Sequence, residues 1–531
     1  MGEGSSGVTT RALTDAAPDF TTSRVSTPPF VRWLSEDAWL HACGVALSLV
    51  LLALFLGCRD LPMVDLPQHA AQIVTWQRLD AGVPEIRELF ELNFRTPYLL
   101  AYPLARLLAP ACGAVVALKL VVWLSVVLNL VSVELLARRV GHDPWLGLLG
   151  FVTAMGLCFY FGFVSFVLAM PLAIGALSLA IGHARAPNLR DGAWLAVLMS
   201  LVLTAHGIAF VLAFGTAGLL LLRGGGTWLE RLAPLVPAAL LALVWIAPGP
   251  VSVRIGGDLW APSLTRLPDF PALLVSMGAA DHASVWLGLA LLAAMLATLG
   301  FRLERRPERV LPLALLLGGY MLFPTMFRGI VLLHTRLPYF LLPIALLAFA
   351  PPAANARQKL AARAAVLGVT LGWLVMFSTR LAVFQTEAAS FHKLEARLRP
   401  GLAMRPLVFD RQSAAFPGVP AFLHYPAYYY VDKGGSQGYS FAQYPLSVVR
   451  YRPGVVATMQ GGAEWRPDWF RQEEIPDYDY FLVRSAFDRT EELFAGTPVE
   501  LEAHEGSWWA YARRETAVVA VPPRARSAGG T

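Results

Sequence analysis

The sequence predicts an all-α polytopic transmembrane bundle of about eleven helices with a C-terminal extracytoplasmic α/β domain. Three observations lead there. Hydrophobic residues fill 56% of the 531 positions and charged residues only 15%, against about 25% charged in soluble domains. Mean hydropathy is +0.53. Apolar runs long enough to cross a hydrocarbon core, which takes about 20 residues, recur between residues 38 and 380, and beyond 380 the pattern changes to short alternating stretches.

Taken in order, residues 1–37 are rich in Ser, Thr and Pro and are expected to form a disordered cytoplasmic leader. Candidate spans follow at 38–58, 113–136, 144–160, 163–182, 232–248, 284–301, 310–327, 331–350 and 362–380. The stretch 193–222 is one long tilted helix or two short ones turning at Ala205-His206-Gly207. Basic residues gather on the cytoplasmic side of a membrane. Arg138-Arg139, HARAPNLR (183–190), FRLERRPER (301–309) and NARQKLAAR (355–363) therefore belong together inside. With the leader inside as well, alternation requires 193–222 to cross twice. The bundle is then 38–380, with an outer loop at 59–112 and another at 249–283, and residues 381–531 lie outside.

That outer tail is no linker. RPLVFD (405–410), DYFLVR (479–484), VELEAHE (499–505) and SWWAYAR (507–513) read as strands, with helical EAASFHKLEARLR (387–399) and FDRTEELFA (487–495) between them. The insert between Arg411 and Pro476 is rich in Pro, Gly and Tyr, and loops of such length tend to be functional.

Composition also excludes. The net charge of +6 is small for this length, and the arginines fall in short loops, so the basic residues set topology and no nucleic acid is expected as partner. The four cysteines, Cys43, Cys58, Cys112 and Cys158, have no metal-ligand spacing; a Cys58–Cys112 pair in an oxidising compartment is the alternative to small apolar packing.

Chemistry concentrates just after the first span, in RDLPMVDLPQHAAQIVTWQ (59–77). Pro67 suits the first turn of a helix and Asp65 its cap. Asp65 and His69, four apart, share a face of that helix, where they form a general base and its partner or share a divalent metal. A cap explains Asp65 fully but leaves His69 unexplained. No cofactor is otherwise required.

The layout of this loop, together with helical pieces such as PYLLAYPLARLLAP (97–110), many further spans and an outer C-terminal domain, resembles the GT-C glycosyltransferases. That superfamily includes protein mannosyltransferases, the aminoarabinose transferase of lipid A and oligosaccharyltransferases. The resemblance implies transfer of a sugar from a polyprenyl-phosphate carrier to a cell-envelope glycan, lipid or protein on the outer face, at a bacterial inner membrane that the chain crosses many times. It implies Asp65 as catalytic base and Asp60 as second choice. Many members carry two adjacent acids, whereas Asp60 and Asp65 are separated here and His69 stands nearby, so metal dependence is left open. The Trp-Trp-Asp signature is not met, since Ala510 follows Trp508-Trp509.

Two further groups suit substrate binding. In MFRGIVLLHTRLPYF (326–340), Arg328, His334 and Arg336 sit near span ends. An ionisable group at a span centre costs about 2.5–3.5 kcal/mol on insertion scales, and a lipid-linked phosphate gives guanidinium a reason to be there; snorkelling to headgroups is the alternative. In the outer insert, His424, Tyr428, Tyr429 and Tyr430 form an aromatic surface of the kind that stacks on sugars, or else staple the loop to the membrane interface. Asp281 and His282 face the same side and either close the site or belong to an ordinary loop. The rival functions are a transporter or flippase for a lipid-linked solute, which needs polar residues through the midplane, and a non-catalytic envelope assembly subunit.

Overall fold

The structure, a computed structural model, describes residues 37–246, 264–278, 280–327 and 330–514. The chain divides into two units, residues 1–46 and 47–531. Of the first unit only 37–46 are described, at the start of helix Ala38–Gly57, and the expected disordered leader up to residue 36 lies outside the described residues. The remaining observations concern the second unit.

Among the described residues six helices are long and apolar enough to cross a membrane: Ala38–Gly57, Ala114–Val140, Val164–Arg185, Trp228–Trp245, His282–Leu299 and Ala356–Arg397. The stretch 193–222 is two helices, Leu189–Ala205 and Gly207–Leu222, separated by a single extended residue, His206. Three expected spans take other forms. The run 144–160 breaks into Leu146–Thr153 and Leu157–Phe161. A Cβ on Gly156 between them would lie 2.6 Å from the Leu273 carbonyl oxygen, so only glycine admits that backbone. The run 331–350 is a 3₁₀ segment His334–Phe340, containing Pro338, followed by a short α-helix Leu341–Ala348. The run 362–380 belongs to a 42-residue helix, Ala356–Arg397, which starts on an Asn355–Gln358 capping box.

That long helix absorbs the separate helix expected at 387–399, and the expected domain boundary at 380 falls inside it. Between Arg380 and Arg397 the sequence has no proline or glycine to stop it. At 1.5 Å per residue it is about 60 Å long, roughly twice the hydrocarbon core, so it carries the fold from one layer into the next. Phe384, Phe391 and Leu394 on its far half are buried, with Phe391 packed edge-on to Trp508 at 5.0 Å between centroids.

The C-terminal part holds a five-stranded mixed sheet in the order Ser436–Gln437, Ala403–Val408, Tyr480–Arg484, Trp508–Arg513, Val499–Glu505. The first three strands are parallel and the last two pair antiparallel. The four strands expected from alternation are all present. Leu407, Phe481, Val483, Phe494 and Tyr511 form the core of one face.

The long insert is not a free loop. Its segment Val449–Tyr451 pairs antiparallel with Phe90–Leu92, in the loop that follows the first apolar helix. Gln72, on the first-loop helix Leu66–Asp80, hydrogen-bonds both backbone groups of Val449, donating to its carbonyl at 2.9 Å and accepting from its N–H at 3.2 Å. Gln68 does the same a turn earlier, donating to the Tyr439 carbonyl and accepting from the Phe441 N–H. Two buried glutamines thus satisfy backbone groups that have no sheet partner, and they fix the insert over the start of this helix.

Candidate active site

Asp65 immediately precedes helix Leu66–Asp80, with Pro67 in its first turn, as the sequence predicts. Its side chain makes no capping hydrogen bond, so the cap reading does not account for it. The carboxyl is buried, and its Oδ1 lies 3.4 Å from His424 Nε2, brought in by the long C-terminal insert. Burial pushes the acid well above the ordinary carboxylate range; the Arg336 charge offsets part of this and the Glu464 carboxylate adds to it.

The backbone around Asp65 is gripped by the broken helix Leu157–Phe161. Val64 N–H donates to the Tyr160 carbonyl and Asp65 N–H to the Phe161 carbonyl. The helix ends on Gly162 at φ +85°, directly against Asp65.

His69 is on the same helix but does not meet the Asp65 carboxyl. Its Nε2 is 3.0 Å from the Gly162 carbonyl and its Nδ1 is 2.7 Å from the Tyr102 hydroxyl. A carbonyl only accepts, so Nε2 carries the proton and Nδ1 accepts from Tyr102. Both ring nitrogens are engaged, which corrects the expectation that His69 pairs with Asp65 or shares a metal with it. His69 instead fastens the Gly162 turn that holds Asp65. Among the described residues no three His, Cys, Asp or Glu side chains gather as a metal-binding group.

Asp60 lies in a different cluster. Its Oδ2 is 2.7 Å from His392 Nε2, and its backbone exchanges hydrogen bonds with the Gln385 amide. His392 also faces Glu395, and Arg59 spans Glu395 and Asp432. Asp60 therefore ties the loop after the first apolar helix to the long helix, and the second-choice base is committed elsewhere.

Arg336 is buried, with its Nη1 3.0 Å from His206 Nε2, its Nη2 donating to the Val331 carbonyl, and its guanidinium 4.0 Å above the Phe163 ring. Its positive charge favours the ionised form of Asp65. His334 packs instead at 5.8 Å from the Tyr320 ring. Arg328 lies outside the described residues.

The tyrosine surface is corrected. Tyr428, Tyr429 and Tyr430 are all buried. Tyr429 donates to the Arg399 carbonyl at 2.6 Å, and the Tyr430 hydroxyl meets Thr75 Oγ1 at 2.9 Å. Asp281 is also structural: it caps helix His282–Leu299 and pairs with Arg380. Cys58 and Cys112 are free thiols.

Three contributors had no signal of their own in the sequence. Tyr102 and Gly162 act only through His69 and the Asp65 backbone. Glu464, one of several acids in the insert, is buried and hydrogen-bonded with Tyr439, on whose ring His424 stacks at 5.1 Å.

Burial holds His69 and His424 neutral, at about 4 and about 3 respectively; the Gly162 hydrogen bond raises the first slightly, and the neighbouring His69 lowers the second further. Unfolding releases each toward its ordinary value of about 6.5, so the unfolded chain binds more protons below that pH. The contribution of His69 to stability is thus fully present above about 6.5 and is lost as pH falls towards about 4. The wild-type melting temperature in detergent, taken relative to His69→Gln, is expected to drop across this window. A difference independent of pH would contradict the buried neutral imidazole.

No protein-family model matches the sequence, and none of the curated proteins is similar to it. Its fold is similar to that of solved structures. ArnT from Cupriavidus metallidurans bound to undecaprenyl phosphate superimposes with a TM-score of 0.53 at 10% identity, over 90% of this chain and 99% of that one. ArnT from the same organism in the apo state gives 0.52 at 12% identity over the same shares. The chain has a GT-C-like fold.

Proposed function

We propose that the chain is a membrane glycosyltransferase that moves a sugar from a polyprenyl-phosphate carrier to a hydroxyl of a cell-envelope acceptor on the outer face. The observation that carries this reading is the buried Asp65 carboxyl, uncapped, directly after the first span and within the field of Arg336. The ArnT structure that holds undecaprenyl phosphate supports the choice of carrier.

In this reading Asp65 takes the proton of the acceptor hydroxyl as its oxygen bonds to the anomeric carbon. The bond from that carbon to the carrier phosphate breaks, and its electron pair leaves with the phosphate. A base with a raised pKa suits this task, because proton transfer is most efficient when the base titrates near the working pH. Arg336 supplies positive charge to the leaving phosphate. Tyr102, His69 and Gly162 keep Asp65 in place. Metal dependence is tested with chelator.

The test is transfer in membranes containing the chain, supplied with radiolabelled polyprenyl-phosphate sugars, with and without chelator. Label is expected to leave the carrier only when the chain is present. If no donor loses its sugar while a lipid-linked solute crosses sealed vesicles, the transporter reading replaces this one.

A further inference from the structure

We propose that His424, from the C-terminal insert, is the positioning residue of Asp65, its Nε2–H holding one carboxylate oxygen so that the other faces the acceptor. The role rests on the transferase reading for its purpose, but its geometry stands apart from it. His424 is 5% exposed. Its ring lies parallel to Tyr439, 3° apart at 5.1 Å, and edge-on to Phe441 at 5.5 Å. Those contacts fix the plane of the imidazole, and in that plane Nε2 reaches 3.4 Å from Asp65 Oδ1. Such contacts are often long before substrate binds and tighten afterwards.

The other groups around Asp65 do not offer this bond. Both nitrogens of His69 are spent on Tyr102 and Gly162. Arg336 donates to His206 and to backbone carbonyls. Glu464 acts on Asp65 as a second negative charge, while Tyr102, Tyr439 and Tyr444 feel the Asp65 charge from the remaining sides. His424 Nε2, 3.4 Å from Asp65 Oδ1, is therefore the group placed to hold the carboxyl. Its neutral form has a single N–H, so when Nε2 carries it, Oδ1 is held and Oδ2 is left to receive a proton. The insert that delivers His424 is the one pinned to the first-loop helix by Gln68 and Gln72, so docking of the C-terminal part completes the site.

The test reads the Asp65 proton directly. In the purified full-length chain, the infrared band of the protonated Asp65 carboxyl is assigned by its loss in Asp65→Asn and then titrated. A hydrogen bond donated to a carboxylate favours the charged form. Removing it in His424→Phe, which keeps an aromatic ring against Tyr439, is expected to move the titration up by about one to two pH units. His424→Gln places an amide N–H near the same point and is expected to bring the band back to within about half a unit of wild type. In the transfer assay His424→Phe should lose about 10-fold to 100-fold in kcat with little change in donor KM, and His424→Gln should recover most of it.

An unshifted Asp65 band in His424→Phe would overturn the proposal, as would a Gln variant no different from Phe. Should His424→Phe fail to accumulate in membranes, His424→Met, which also lacks the N–H, supplies the same comparison. If the band shifts as expected but no lipid-linked sugar is ever turned over, the positioning stands and the transferase reading falls.

Discussion

Asp65→Asn is expected to reduce sugar transfer by about 10²–10⁴-fold, the range that general-base catalysis contributes, while the protein reaches the membrane at near-normal abundance. The two halves of this expectation have separate causes. The amide cannot take up a proton, so the base is gone. The fold loses little, because the Asp65 side chain makes no capping bond to be replaced, and asparagine is a good residue at a helix start in any case. Exchanging a buried acid for an amide of the same shape also removes the cost of keeping a charge there. Asp60→Asn is the contrasting variant. Asp60 contacts His392 and sits beside the Arg59–Glu395 pair, so it is expected to lower stability more than Asp65→Asn does and activity less. The readout is label leaving the carrier per unit of membrane protein, with melting temperature measured in parallel. Full activity in Asp65→Asn would remove the proposed base.

Gly162→Ala is expected to have the second largest effect, about 10²-fold in transfer with a clear loss of stability. Gly162 sits at φ +85°, where an alanine costs about 1–2 kcal/mol. A Cβ there would lie 2.7 Å from the Asp65 nitrogen and 3.1 Å from its Cβ. Backbone cannot rotate out of the way like a side chain, so Asp65 must move. The same shift disturbs the carbonyl that accepts from His69. Displacing a catalytic group by about 1 Å can cost 10²-fold. Gly141→Ala separates the two causes. Gly141 is left-handed as well, at φ +90°, but an added Cβ there makes only an ordinary contact, 3.4 Å from Pro351 Cγ. It should pay the backbone strain alone and transfer at close to the wild-type rate. Equal losses in the two variants would mean that strain, rather than contact with Asp65, governs the effect.

What the sequence determined by itself is whatever rests on neighbours a few residues apart. Hydropathy over a window located the long apolar helices, because desolvation of a helix depends on its own side chains. The break at Ala205-His206-Gly207 was legible since a polar residue beside glycine interrupts an apolar run, and the structure has one extended residue there. Alternation placed strands at 405–410, 479–484, 499–505 and 507–513, and the structure has them at 403–408, 480–484, 499–505 and 508–513. Pro67 after Asp65 marked the helix start.

Tertiary structure decided everything whose partner lies far along the chain. Nothing near His69 announces that its nitrogens go to Tyr102 and Gly162, 33 and 93 residues away. The tyrosines at 428–430 have the composition of a sugar platform, but in the fold Tyr430 is interior, its hydroxyl against Thr75, 355 residues earlier, and its ring under Arg78. The apolar run 144–160 reads locally as one helix, yet it is broken between Thr153 and Leu157, where the Leu273 backbone passes close to Gly156. Asp60 and Asp65 look alike in sequence, five residues apart, and differ because one meets His392 and the other His424. Hydrophobic length and period are properties of a segment; the ionisation of a buried carboxyl belongs to the groups packed around it, and in this chain those come from four separate parts of the fold.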